Sequence, residues 1–308
     1  MKKKAIYIDL ISKKFKETQA LDSVSLQINE GELFGLIGPD GAGKTTLIKI
    51  LVTLLDSDVG QATILGMDTL HSKDAIRQII GYMPGRFSLY PDLTVEENLS
   101  FFARAFDTTL EENYSLIQSI YDQIKPFKNR KSGALSGGMK QKLALCCALV
   151  HRPKILILDE PTTGVDAVSR KEFWQMLQEI KSQGITILVS TPYMDEANLC
   201  DRIAFIQNGK IMSIDTPNKI TAQFPWQLFA LKCKQKYDLI NWLRIWSKVS
   251  YCYAFGEYVH VAFTDQGIQT KQIKKYLSEG TILDAEIKLI PPTIEDTFIY
   301  LMENGSSC

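Results

Sequence analysis

Residues 4–10 and 24–28 alternate apolar and polar side chains, whereas FGLIG at 34–38, ILIL at 155–158 and ITILVS at 185–190 are short unbroken apolar runs. A period of two buries one face of a strand and predicts antiparallel pairing. An unbroken run predicts a strand buried on both faces, as in a parallel sheet. Between these stretches the apolar spacing predicts helices at 44–54, 93–105, 137–150 and 169–182, the last stopped by Gly184. Alternation of this kind predicts an α/β fold around a parallel sheet.

After Pro217 the pattern changes. Strands are predicted near 226–233, 249–254, 258–263 and 281–289, with helices near 237–246 and 268–277. The order β-α-β-β-α-β predicts a small ferredoxin-like α+β domain, closed by a helix from about Thr293 to Met302. The expected domains are therefore residues 1–220 and 221–308.

Charge narrows the partners. Thirty-five basic residues balance thirty-five acidic ones over 308 residues, and nine of each sign fall after residue 220, so neither part carries a field suited to nucleic acid. The six cysteines lack metal-ligand spacing, and Cys146 and Cys147 sit in an apolar helical run, which predicts reduced thiols. No window approaches the roughly 18 apolar residues of a membrane span, so any membrane role is expected to be peripheral.

The strongest chemical signal is GPDGAGKTT, formed by Gly38, Pro39, Asp40, Gly41, Ala42, Gly43, Lys44, Thr45 and Thr46. It fits G-x-x-x-x-G-K-[ST] between an apolar strand and a helix, the context the pattern requires. The glycines let successive N–H groups face one point at a helix N-terminus, where phosphate is favoured. Lys44 adds a full positive charge for the β- and γ-phosphates of ATP, and the Thr45 hydroxyl is placed to ligate Mg²⁺. In ILILDEP the 155–158 strand ends in Asp159 and Glu160. Adjacent strand side chains point to opposite faces, so Asp159 can hold Mg²⁺ while Glu160 polarises the attacking water; two solvated acids are the plainer alternative.

Residues 135–141 read LSGGMKQ. With the two preceding segments they resemble the nucleotide-binding subunits of ABC transporters over residues 5–220. The resemblance implies a P-loop NTPase core with an antiparallel β subdomain and a helical subdomain at about 86–140. It also implies that ATP sits between two such domains, one of which supplies the LSGGM end. Ser136 with the Gly137 and Gly138 amides would form a second anion-binding helix start. Phe15 lies where the family stacks an aromatic on adenine, with core packing of a lone Phe as the alternative. Asp166, in TTGVD, matches the loop joining the two nucleotide sites and also suits a helix N-cap.

Two positions depart from the family pattern. Gly85, in GYMPGRF, stands where the family has a Mg²⁺-contacting glutamine, and Pro192, in VSTPYMDEA, where it has a switch histidine. Proline offers no donor to a γ-phosphate. A slow site on this chain's own loop is therefore expected, with a non-identical second ATP-binding domain as partner and a regulatory, weakly hydrolysing half as the alternative function. The wording of the motifs resembles drug- and export-type subunits, particularly the first half of tandem ones. The resemblance implies separate transmembrane permease subunits and a cytoplasmic place on the inner face of the membrane. Apolar residues at Phe87, Leu89, Tyr90 and Leu93 are candidates for that docking or for packing on their own domain. A ribosome- or DNA-acting ATPase is disfavoured by neutral charge and by the lack of a second glycine loop.

Overall fold

A computed structural model describes residues 3–86, 89–265, 267–280 and 282–304. The chain divides into two compact units, Met1–Pro217 and Asn218–Cys308.

In the first unit, β1 (Lys4–Phe15) and β2 (Thr18–Asn29) pair antiparallel, and β4 (Val59–Ile64) and β5 (Met67–Asp68) extend the sheet in the order β2-β1-β4-β5 after β3 (Leu33–Ile37) has entered a second sheet. The first two strands run further than alternation predicts, because irregular register at Ile8, Ile11 and Lys13 interrupts the period of two while pairing continues to Phe15 and Thr18.

The second sheet joins β3 to β6 (Ile80–Met83), β7 (Ile155–Asp159), β8 (Thr186–Thr191), β9 (Arg202–Gln207) and β10 (Lys210–Asp215), in the order β10-β9-β3-β8-β7-β6. All neighbours are parallel except β9 and β10. Helix α1 (Lys44–Leu51) lies between the sheets and buries Leu47, Ile48, Ile50 and Leu51 in one apolar core with Ile6 and Ile8 of β1 and Ile157 of β7. It stops short of the predicted residue 54, with Thr53 in the left-handed region.

Helix α2 (Lys73–Ile79) precedes β6; α3 (Val95–Ala105) and α4 (Leu110–Ile124) then lead to α5 (Gly137–Leu149) and, beyond β7, to α6 (Ala167–Ser182). Both α3 and α4 open on capping boxes, Thr94 with Glu97 and Thr109 with Glu112. The elements predicted from the apolar pattern do not include α2, α4, β4, β5, β6, β9 or β10.

The short helix α7 (Pro217–Thr221) spans the boundary between the units. In the second unit β11 (Leu228–Lys232), α8 (Lys236–Arg244), β12 (Val249–Phe255), β13 (Tyr258–Phe263), α9 (Thr270–Glu279) and β14 (Glu286–Ile290) follow one another. The sheet order β12-β13-β11-β14, antiparallel throughout, is the ferredoxin-like arrangement. Leu239, Leu243, Ile273 and Leu277 of α8 and α9 pack with Phe229, Val261 and Phe263. Helix α10 (Ile294–Asn304) contributes Ile299 and Tyr300 to a separate cluster with Tyr251, Ala262 and Phe224. Its Asp296 is fully buried and accepts from Tyr251, Thr293 and His260 Nδ1; burial pushes its carboxyl up, but His260 and Thr293 together outweigh that and hold it below the usual range.

Candidate functional site

The glycine loop leaves the C-terminal end of β3 in the middle of the parallel sheet, the place where open α/β sheets bind ligands. A side chain at Gly38 would meet the Ile206 carbonyl at 2.1 Å, and one at Gly43, where φ is 106°, would meet the Ala20 carbonyl at 2.6 Å. These contacts admit only glycine. Helix α1 has no side-chain cap, so its first-turn amides open into the loop. Lys44 is 3% exposed; its ammonium donates to the Gly38 and Pro39 carbonyls at 2.8 and 2.9 Å and lies 3.0 Å from Glu160 Oε1. Uncapped amides around a buried ammonium fit an anion of phosphate size.

Asp159 and Glu160 diverge for a reason that strand alternation does not supply. Strand β7 ends at Asp159, and Glu160 adopts a left-handed backbone with φ 50° that turns its carboxylate back toward Lys44. Such strain persists only where the surroundings impose it. Ser190 imposes it here: the Glu160 N–H bonds to Ser190 O at 3.1 Å and Ser190 Oγ at 3.0 Å, while Ser190 Oγ donates to Asp159 Oδ1 at 2.7 Å. Asp159 and Ser190 are register partners in β7 and β8. No sequence signal marked Ser190, since it ends an ordinary apolar run 31 residues away. Tyr82 belongs to the same region; burial, with the Asp159 charge nearby, pushes its phenol up to about 12.

Thr45 is exposed on the first turn of α1, and Asp159 keeps an oxygen beyond the one held by Ser190. Oxygen donors of this kind suit a hard cation such as Mg²⁺. Among the described residues no group of three or more His, Cys, Asp or Glu makes a metal site alone, so phosphate oxygens would have to complete the shell. Asp40 and Gly41 are exposed at the loop's outer edge, Ala42 is buried, and Thr46 is half-buried in the first turn of α1.

The two departures lie close to this cluster. A Cβ at Gly85 would stand 3.0 Å from the Asp159 carbonyl and 3.9 Å from its Oδ2, so position 85 does adjoin the acid but in a backbone approach that leaves little room for a longer side chain. Pro192 follows Thr191 directly at the end of β8. Since Lys44, Glu160, Asp159 and Ser190 nevertheless converge, the reading of this chain as a regulatory half with a degenerate site is not favoured.

Ser136 caps α5, its Oγ accepting from the Met139 N–H at 3.4 Å, and both Ser136 and Gly137 are exposed. Nothing stands within 4 Å of a Cβ at Gly137, whereas one at Gly138 would meet Ser169 Oγ of α6 at 2.8 Å. The close approach of α6 thus explains only the second glycine. Asp166 caps α6, accepting from the Val168 and Ser169 amides at 3.1 and 3.0 Å, and these bonds, Ser169 first, hold its carboxyl below the usual range. Phe15 is 45% exposed at the β1–β2 turn, with the Lys13 ammonium 5.7 Å from its ring centre, so it is not a core residue.

Of the candidate docking residues, Leu89 is buried, Leu93 half-buried and Tyr90 exposed; Phe87 lies outside the described residues. Tyr90 packs edge-on against Phe101 of α3. An apolar groove of about 280 Å³ is lined by Tyr82, Met83, Pro84, Phe102, Phe106 and Cys147 among others. Burial raises the thiols of Cys146 and Cys147 far above their ordinary value and so makes both unreactive.

Known proteins match this arrangement. Residues 21–163 match the family model described as ABC transporter. The chain is 43% identical over 216 residues to the probable multidrug ABC transporter ATP-binding protein YbhF of Escherichia coli, covering 69% of this chain and 37% of that protein. It is 37% identical to the Nod factor export ATP-binding protein I of Burkholderia lata over 68% of this chain and 70% of that one. With the daunorubicin resistance ATP-binding protein DrrA2 of Streptomyces coeruleorubidus it shares 30% identity over 96% of this chain and 94% of that one, the second unit included. Among solved structures, an ATP-binding subunit of an ABC transporter superposes with a TM-score of 0.65 at 28% identity, covering 71% of this chain and 93% of its own. A dimeric ATP-binding cassette in a post-hydrolysis state with ADP and Pi does so with a TM-score of 0.62 at 27% identity, covering 68% and 98%. The family model and these relatives place the chain in one family: it belongs to the ABC transporter ATP-binding subunits.

Proposed function

We propose that this chain binds and hydrolyses ATP to drive export through separate membrane subunits. The observation that carries the reading is the convergence of Lys44, Glu160 and the Ser190-held Asp159 at the C-terminal ends of β3, β7 and β8. Residues 38–46 hold the phosphates through loop amides, and Phe15 offers its exposed ring to adenine. Thr45 and Asp159 would hold Mg²⁺, which would supply neutralisation of the phosphate charge. Lys44 and Glu160 are paired in the structure; phosphate gives Lys44 a stronger partner, and the freed Glu160 carboxylate then orients the attacking water and accepts its proton.

The exposed end at Ser136, Gly137 and Gly138 suits a γ-phosphate carried by a second ATP-binding domain, with the Asp166 turn communicating between the sites. Gly85 and Pro192 support a non-identical second domain, whose own groups differ from this chain's. The groove beside Phe102 and the exposed Tyr90 suit a cytoplasmic segment of a transmembrane permease subunit, which would place the chain on the inner face of the membrane. No helix among the described residues is long and apolar enough to cross a membrane itself. Phosphate release by the purified chain, alone and with its membrane and ATP-binding partners, tests the reading. Turnover at its own site that Lys44→Ala abolishes is expected, and a chain that neither binds nor hydrolyses Mg-ATP in any combination would sink it.

A further inference from the structure

Beyond the phosphate site, charged and buried polar groups gather where α6 meets the turn after β8. Glu196, in the short 3₁₀ turn Met194–Leu199, is 2% exposed. Its Oε2 accepts from the Thr191 hydroxyl at 2.5 Å, while its Oε1 has no hydrogen-bond partner and lies 3.8 Å from Arg170 Nε. A buried carboxylate depends on its counter-charge, and removing that charge is costly. Arg170 also donates to Asp195 at 2.8 Å and lays its guanidinium over the Tyr193 ring at 4.6 Å. A planar fork makes these contacts together; an ammonium cannot. One side chain of α6 therefore grips Tyr193, Asp195 and Glu196, all within the segment that follows Pro192.

Both ends of this clamp lead to the site. The Arg170 N–H bonds to the carbonyl of Asp166, so the arginine sits one helical turn from the loop proposed to meet the second domain. At the other end, Thr191 O accepts from the Gly38 N–H of the glycine loop at 3.3 Å, and Thr191 adjoins Ser190, which holds Asp159 and the Glu160 backbone.

We propose that Arg170 is a positioning residue for hydrolysis. Acting through Glu196 and Thr191, it ties the placement of the Asp166 turn to that of the Ser190–Thr191 pair, and so to Asp159 and Glu160. The clamp carries this link with side chains of α6 and the 193–196 turn, since Pro192 has no side-chain donor to contribute. The inference rests on the chain being an ATPase, as proposed above.

The test uses the full chain with the partners that support its turnover. Arg170→Ala is expected to lower kcat about 10- to 100-fold while KM for Mg-ATP stays within about twofold, because the loss falls on the geometry of the reacting groups and not on nucleotide binding. Arg170→Lys keeps the charge but not the fork, and should fall between the two. Combining Arg170→Ala with Glu196→Gln should slow the enzyme no further than the worse single change, as expected of residues acting as a unit. An unchanged kcat in Arg170→Ala, or losses that simply multiply in the double variant, would overturn the proposal. Amide hydrogen exchange over residues 189–196 reads the clamp without turnover: faster exchange in Arg170→Ala supports it and equal exchange refutes it. A wild-type chain that never hydrolyses ATP defeats the proposed function, and the exchange arm then still decides whether the clamp exists.

Discussion

The helix after the glycine loop and the helix after Leu135 both begin on small residues with amides directed outward, yet their surroundings differ. At the first, Gly38 and Gly43 are crowded by the Ile206 and Ala20 carbonyls, and Lys44 is buried with its charge already engaged. At the second, Ser136 and Gly137 are exposed, and nothing lies within 4 Å of where a Gly137 side chain would begin. A walled helix start carrying its own counter-charge can hold an anion unaided. An open one, with its Ser136 and Gly137 exposed, needs the anion delivered by another surface. The difference supports the proposed roles, binding at the first end and completion of a neighbour's site at the second.

Lys44→Ala strikes the walled end hardest: affinity for ATP, measured by fluorescent-nucleotide titration, should fall by about 100-fold or more, and turnover at that site with it. Ser136→Arg probes the open end; ATP affinity should persist while phosphate release by the assembled transporter drops about 10²-fold, as removal of a transition-state donor does. If Ser136→Arg weakened ATP binding by the isolated chain as much as Lys44→Ala, the distinction between the two ends would be wrong.

Ser190→Ala tests what holds the acids behind the walled end. It leaves Asp159 short of one donor and removes one of the two Ser190 acceptors that hold the Glu160 N–H, so kcat should fall about tenfold with ATP affinity little changed. Thermal unfolding then separates the glycines. Gly43→Ala, forced to φ 106° against the Ala20 carbonyl, should cost about 1–3 kcal/mol or more, whereas Gly137→Ala, with open space around it, should be neutral or raise stability by up to about 1 kcal/mol. The smallest effect is expected at Phe15→Ala, a rise of a few fold in KM for ATP without loss of stability, since the ring is exposed.

Much of the architecture is legible in the sequence. Unbroken apolar runs located β3, β7 and β8, and helical periodicity located α1, α3, α5 and α6 to within a few residues. The pattern of the second unit was read in its order of elements, and its last strand proved shorter, Glu286–Ile290. Strand β6 escapes the pattern because IGYM is too short to show a period, whereas α4 does carry a helical period, with Ile117, Ile120, Tyr121 and Ile124 buried, and was legible.

The sequence by itself determined the chemistry on offer: a glycine loop with its lysine, two acids after an apolar strand, and a serine-capped pair of glycines. Those are local, because the spacing of a few residues along a turn or helix start sets which groups can face one point. Only the tertiary structure decided how that chemistry is held. The parallel register of β7 with β8 brings Ser190 to Asp159, the left-handed turn brings Glu160 to Lys44, and the approach of α6 requires Gly138 while leaving Gly137 unconstrained. Strand register and helix approach depend on side chains buried tens to more than a hundred residues apart, and no local pattern encodes which of them will meet.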